Sequence, residues 1–215
     1  MKATITSLIF LLLSLTVSSQ TYKYIGIEEG LSNQKIYKIQ KDARGYMWFL
    51  THVGIDQYNG KEIKHYKLRE GNRELDPLLN INWTFLDKTG TLLVTGKQGR
   101  IFRYDSGHDR FVQIYNMYNY WNKDYHAFVR YSYIDQEDNV WLCGKSAIHL
   151  FNIESGQKQQ ISNRLGNITC IEQINSEHFF IGTDKRIYLA KLENGNLKEL
   201  SCGKLGMMDM HVHEL

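Results

Sequence analysis

Residues 116–125 read NMYNYWNKDY, and no other stretch concentrates so many side chains suited to holding a ligand. Tyr118, Tyr120 and Trp121 offer flat aromatic faces that stack on the apolar faces of sugar rings, and Asn119 and Asn122 can hydrogen-bond hydroxyls beside them. Ligand sites combine apolar platforms with a few placed polar groups in this way. Tyr115, Asn116 and Tyr125 flank the set. The competing reading is that the same aromatics pack the stretch against a neighbouring part of the fold.

Other chemistry is thinner. His211 and His213 alternate, so on a strand both would share one face and could reach one ion, but two ligands fall short of a metal site and none is expected. Cys143, Cys170 and Cys202 form no CxxC pair and, being odd in number, cannot all pair within the chain. They read as small buried hydrophobes, with one disulfide open to them in an oxidising compartment. There is no nucleophile elbow, HExxH helix or phosphate loop, so no catalytic residue and no cofactor is expected. A propeller lyase or hydrolase stays as a minor alternative. The charge of +3 is mild and its Lys and Arg residues are scattered, which argues against nucleic acid as a partner.

The elements that must position these residues repeat. Asp42-Ala-Arg-Gly45 has the residues favoured at the first and last places of a type I turn. Tyr46 to Leu50 follows as an apolar strand, then Ile55 to Tyr58, then Asn59-Gly60 as a hairpin turn and Ile63 to Tyr66 as the returning strand. The plan recurs from Asp87 through Gly90 to Ser106-Gly107, from Asp135 to Ser155-Gly156, and from Asn175 to Asn194-Gly195. Trp48, Leu93, Trp141 and Phe180 align, 45, 48 and 39 residues apart, and are expected in the core. Four strands per repeat at this period predict an all-β chain of propeller blades, each of four antiparallel strands.

The blades are expected at about 33–66, 81–115, 126–161 and 166–201, with the start of a fifth at 207–215. Tyr22 to Ile27 reads as a strand before the first blade, and 69–79 as a polar connection. Residues 1–19 read as a signal peptide: Lys2, an apolar run from Ile5 to Val17, and small residues before Gln20. No later run is long enough to span a membrane. Propellers have about four to eight blades. Four blades and one strand suggest the amino-terminal part of a longer, seven-bladed ring, with a closed four-bladed ring as the alternative.

The first repeat resembles a known family. Gly30-Leu31-Ser32-Asn33, Ile36, Ile39, Asp42, Gly45, Trp48, Thr51, Gly54, Ile55, Tyr58 and Gly60 are similar to the two-component regulator propeller repeat. Leu50 stands where that repeat usually has Gly, and Leu93 and Phe180 where it has Trp. The resemblance implies a periplasmic sensor domain of a hybrid two-component histidine kinase. It implies an oligosaccharide ligand from glycan breakdown, the remainder of the sensor and a homodimer partner, and a kinase that this chain lacks. The alternative is an exported propeller that binds a protein or glycan without signalling.

Overall fold

The structure, a computed structural model, describes residues 22–120, 128–193 and 195–203. The chain is all-β, in four antiparallel sheets of four strands each. The first sheet holds β1 (Ile36–Lys41), β2 (Met47–Thr51), β3 (Ile55–Tyr58) and β4 (Ile63–Tyr66) in that order. After a small hairpin, β5 (Arg69–Glu70) and β6 (Arg73–Glu74), and one helical turn, α1 (Pro77–Asn80), the second holds β7 (Trp83–Leu86), β8 (Leu92–Thr95), β9 (Arg100–Asp105) and β10 (Arg110–Asn116). The third holds β11 (Tyr131–Ile134), β12 (Asn139–Cys143), β13 (Ala147–Asn152) and β14 (Lys158–Ser162). The fourth holds β15 (Ile168–Gln173), β16 (His178–Thr183), β17 (Ile187–Glu193) and β18 (Asn196–Gly203). The first strands of successive sheets lie beside one another, as the innermost strands of propeller blades do.

One buried carboxylate shapes each of the first three blades. Asp42 Oδ1 accepts hydrogen bonds from the backbone of Arg44 at 2.9 Å and Tyr46 at 3.0 Å, and Oδ2 accepts from the Trp48 indole at 3.0 Å. Asp135 repeats this with Glu137 at 3.0 Å, Asn139 at 2.8 Å and the Trp141 indole at 2.9 Å. Asp87 binds the backbone of Thr89 and Thr91, both at 2.9 Å. The Leu93 side chain has no N–H to offer there, and the Arg103 guanidinium forms an ion pair with the second oxygen at 2.7 Å. The turn and the strand after it are thereby one unit. In the fourth blade Ile174 holds the equivalent place, its N–H bonded to His178 O as that of Asp42 is to Tyr46 O, and Asn175 caps the turn instead.

Strand alternation then decides which residues meet between blades. The sixth residue after the turn position points at the next blade, and the fifth and seventh point back. Trp48 shares a core with Leu92 and Val94, and Leu93 with Val140 and Leu142. Trp141 meets Phe179 and Ile181, its ring 4.9 Å from that of Phe179. By the same parity Phe180 points away from the third blade. It is 49% exposed rather than buried, a correction to the expected core position, because no described residue covers that face.

The turns add a second set of ties. The residue after each turn aspartate donates its N–H to the next blade: Ala43 to Gly90 O, Lys88 to the Asp138 carboxylate, Gln136 to Gln173 Oε1. At Gly90 (φ 74) a Cβ would lie 2.2 Å from that of Ala43, so only glycine allows this approach. Asp138, with φ 60, holds the place of the turn glycine in the third blade. In the hairpin turn between β9 and β10, the left-handed residue is Asp109, with φ 50, and not Gly107.

Asp109 also joins two blades. Its Oδ1 accepts from Tyr104 at 2.5 Å and from Tyr66 at 2.6 Å, and Lys64 reaches Oδ2 at 3.0 Å. Tyr66, Tyr104 and Phe111 surround the Trp48 ring at 5.5, 4.8 and 5.6 Å.

Two expectations change outside the blades. Residues 22–25 form no strand, because Gly26 and Gly30 fold the chain into a turn closed by Leu31 N on Gly26 O. The 69–79 connection contains the β5–β6 hairpin, held down where Glu70 meets the buried Arg100 and accepts from Asn116. Residues 1–21 and 204–215, with the signal segment and the expected start of a fifth blade, lie outside the described residues.

Two outcomes are expected. Asp42→Ala leaves the Arg44, Tyr46 and Trp48 donors without their acceptor, and urea unfolding should show a loss of about 3 kcal/mol. Asp109 is held at about 2, below its ordinary 3.8, first by the Tyr104 hydroxyl and then by Tyr66 and Lys64. A depressed folded value stabilises the protein at higher pH, and that part is lost as pH falls from about 4 towards 2. The urea midpoint of Asp109→Asn should therefore depend less on pH across this window than that of the parent chain.

Candidate functional site

The structure brings part of the aromatic insertion together. Met117–Asn119 form a 3-10 turn capped by Asn116, whose Oδ1 accepts from Tyr118 N at 3.1 Å. Tyr118 is half-buried against the core between the second and third blades, and Asn119 is exposed. Tyr120 is 54% exposed and lies parallel to Tyr115, with ring centroids 5.6 Å apart. Tyr115 stacks in turn on Phe151 at 4.7 Å, and Lys158 Nζ sits 4.3 Å from the centre of the Tyr120 ring. These contacts fasten the start of the insertion to the third blade. Trp121, Asn122 and Tyr125 lie outside the described residues.

Side chains that suggest nucleophilic chemistry are arranged otherwise. Ser32 Oγ donates to Asp56 Oδ2 at 2.9 Å, and His65 Nδ1 lies 2.8 Å from Asp56 Oδ1. The carboxylate sits between serine and histidine, whereas an activated serine needs direct contact with its base. The trio ties the 26–33 segment to β3 and β4, and Ser32 N joins it at 2.8 Å. This gives the serine of the Gly-Leu-Ser start its structural work. Cys143 is fully buried, and burial pushes its thiol well above its ordinary range. Cys143 and Cys170 are free thiols. Among the described residues no group of three or more His, Cys, Asp or Glu side chains could hold a metal. His211 and His213 lie outside those residues.

A further concavity among the described residues lies on the inner side of the blades. A cavity of about 800 Å3 is lined by Lys38 and Gln40 from β1, Trp83, Thr84 and Phe85 from β7, Tyr131, Ser132 and Tyr133 from β11, and the fourth blade's Cys170, Glu172 and Phe180. The wall follows the repeat. Counted back from the turn position (Asp42, Asp87, Asp135, Ile174), the fourth and second residues are Lys38 and Gln40, Trp83 and Phe85, Tyr131 and Tyr133, Cys170 and Glu172. All but the exposed Glu172 are half-buried. Burial raises the Tyr133 phenol above its ordinary value. The sequence carries a signal for this wall, aromatic residues at alternate positions of the first strand in two consecutive blades, which the reading centred on the insertion missed.

This geometry defines the class: an all-β propeller-type chain with an aromatic-lined inner cavity. Its first blade carries a known repeat, for residues 30–52 match the family described as two component regulator propeller. Among solved structures, the fold is similar to the extracellular domains of two proteins of B. thetaiotaomicron described as hybrid two-component systems. For one, the TM-score is 0.63 at 17% identity, covering 83% of this chain and 26% of that one. For the other, it is 0.58 at 17% identity, covering 87% and 24%. PorZ, a surface component of the type-IX secretion system of Porphyromonas gingivalis, gives 0.52 at 9% identity, covering 78% and 21%. The chain thus spans about a quarter of the length of each. No curated protein matches the sequence.

Thiol labelling checks the burial pattern. Alkylation of the native chain, mapped by mass spectrometry, should modify Cys170 and leave Cys143 unmodified until the protein is unfolded.

Proposed function

We propose that the chain is the extracytoplasmic, non-catalytic sensor portion of a hybrid two-component regulator that responds to oligosaccharides from glycan breakdown. The carrying observation is the two-component regulator repeat at 30–52, folded as the first blade of the architecture seen in such extracellular domains. Further support comes from the aromatic platforms and from the signal-like segment at 1–19, which fits export to the periplasm. Among the described residues no helix is long and apolar enough to cross a membrane. A sensor works by population shift: the oligosaccharide must bind one arrangement of the receptor better than another. Signalling would then require a homodimer partner and an attached kinase.

The test is made in the cell. Deleting the coding segment for the four blades in frame should abolish transcriptional induction by one complex glycan and leave growth on simple sugars unchanged. Unaltered induction by every glycan tried would overturn the sensor reading in favour of a propeller that binds without signalling.

A further inference from the structure

Cations that are scattered along the sequence are gathered by the fold. In each antiparallel blade, the loop between the second and third strands lies at the same end as the segment that enters the first strand. Hydrogen bonds between blades keep these segments on a common rim: Val129 N donates to Lys97 O, and Asn163 N to Ser146 O. The loops carry Lys97, Lys145 and Lys185, and the entering segments carry Lys35, Arg130 and Arg164. All six are exposed, and none is ion-paired with an acidic side chain among the described residues. Two carboxylates share this rim and are engaged: Asp76 caps α1, and Asp184 accepts from Asn167. The neighbouring β5–β6 hairpin is compensated, Glu74 by Lys67 and Glu70 by Arg73 and Arg100. The turn carboxylates Asp42, Asp87, Asp135 and Asp138 stand at the opposite rim, so charge is segregated along the blades.

A second observation concerns apolar side chains on the same rim. Val53 in the loop between β2 and β3, Leu78 on α1 and Phe128 before β11 are 40%, 44% and 53% exposed. None belongs to the cores between blades. Each stands beside a cation. Val53 follows His52, whose N–H donates to Lys35 O. Leu78 precedes Leu79, whose carbonyl accepts from Gln98 N, next to Lys97. Phe128 lies two residues before Arg130. A protein interface gathers its apolar residues into a core depleted of charge. Apolar tips interspersed with Lys and Arg suit a bilayer surface instead, where the tips enter the headgroup region and the cations meet lipid phosphates.

From these observations we propose that the rim formed by the second-to-third-strand loops and the entries to the first strands is a docking surface for an anionic membrane. The long stems of Lys97, Lys145 and Lys185 let their charges reach lipid phosphates while the blades stay in water. A free phosphate would engage the cations alone and leave Val53, Leu78 and Phe128 exposed to solvent. The proposal goes beyond the sensor reading and does not depend on what the sensor binds.

The experiment is co-sedimentation of the full chain with vesicles of equimolar phosphatidylcholine and phosphatidylglycerol, against vesicles of phosphatidylcholine alone. The apolar segment at 1–19 is common to every variant, so differences between variants are what is read. The anionic vesicles should be preferred, and the preference should weaken as salt is raised. Combined Lys97→Gln, Lys145→Gln and Lys185→Gln should lower affinity for them roughly a hundredfold at low salt. Phe128→Ser should lower it roughly tenfold, and Val53→Ser, in another blade, should also weaken it. Combined Lys41→Gln, Lys61→Gln and Lys88→Gln makes the same charge change at the opposite rim and should leave binding unchanged. Thermal melts of each variant separate a lost contact from a lost fold. Equal binding to both kinds of vesicle, or equal losses in the two lysine triples, overturns the proposal. Loss with the first triple but with neither serine variant overturns the membrane as partner in favour of an acidic protein.

Discussion

A carboxylate buried at the mouth of a tight turn is the interaction on which the first three blades depend. Burying a charge is costly unless its oxygens are fully hydrogen-bonded. Asp42 and Asp135 meet that condition with local donors, two backbone N–H groups within four residues and the indole on the strand that follows, whereas Asp87 has two such backbone donors and an ion pair with Arg103. The third donor carries the effect beyond the turn. By reaching the Trp48 or Trp141 indole, the carboxylate fixes the rotamer of the largest side chain in the inter-blade core. Local turn chemistry thereby sets tertiary packing.

The same logic explains how the second blade tolerates leucine at this place. Leu93 fills the core but cannot donate, and the Asp87 oxygen it leaves is met by Arg103 from the neighbouring strand β9. The fourth blade gives up the carboxylate altogether at Ile174 and keeps only a capping asparagine. Its outward-facing Phe180 is half exposed. The blades are therefore unequal: the first three share one buried polar device, and the fourth is held chiefly by the apolar contacts of Phe179 and Ile181 with Trp141.

Much of this was legible in the sequence because it is local. Asp, Gly and the aligned Trp, Leu and Phe lie within one turn and one strand, so their spacing survives without knowledge of the fold. What escaped depends on distant partners. The β5–β6 hairpin exists because Glu70 meets Arg100, thirty residues on, and no local pattern announces that pairing. Residues 22–27 alternate like a strand, yet Gly26 and Gly30 turn them. The exposure of Phe180 follows from what lies beside a sheet rather than from its own sequence. The inner wall was missed for a related reason: its residues are brought together only when four first strands converge.

For function, the division of labour matters. The turn device and the inter-blade core make a scaffold on which the first strands of four blades line one inner cavity. The central claim is that the turn carboxylate and the aromatic six residues later act as one unit. A double-mutant cycle of Asp135→Ala and Trp141→Phe, read by urea unfolding, tests it most directly. The account predicts that the two losses overlap, with an interaction free energy of about 1–2 kcal/mol. Additive losses within error would show that the carboxylate serves only its turn, and that the inter-blade packing is set independently of it.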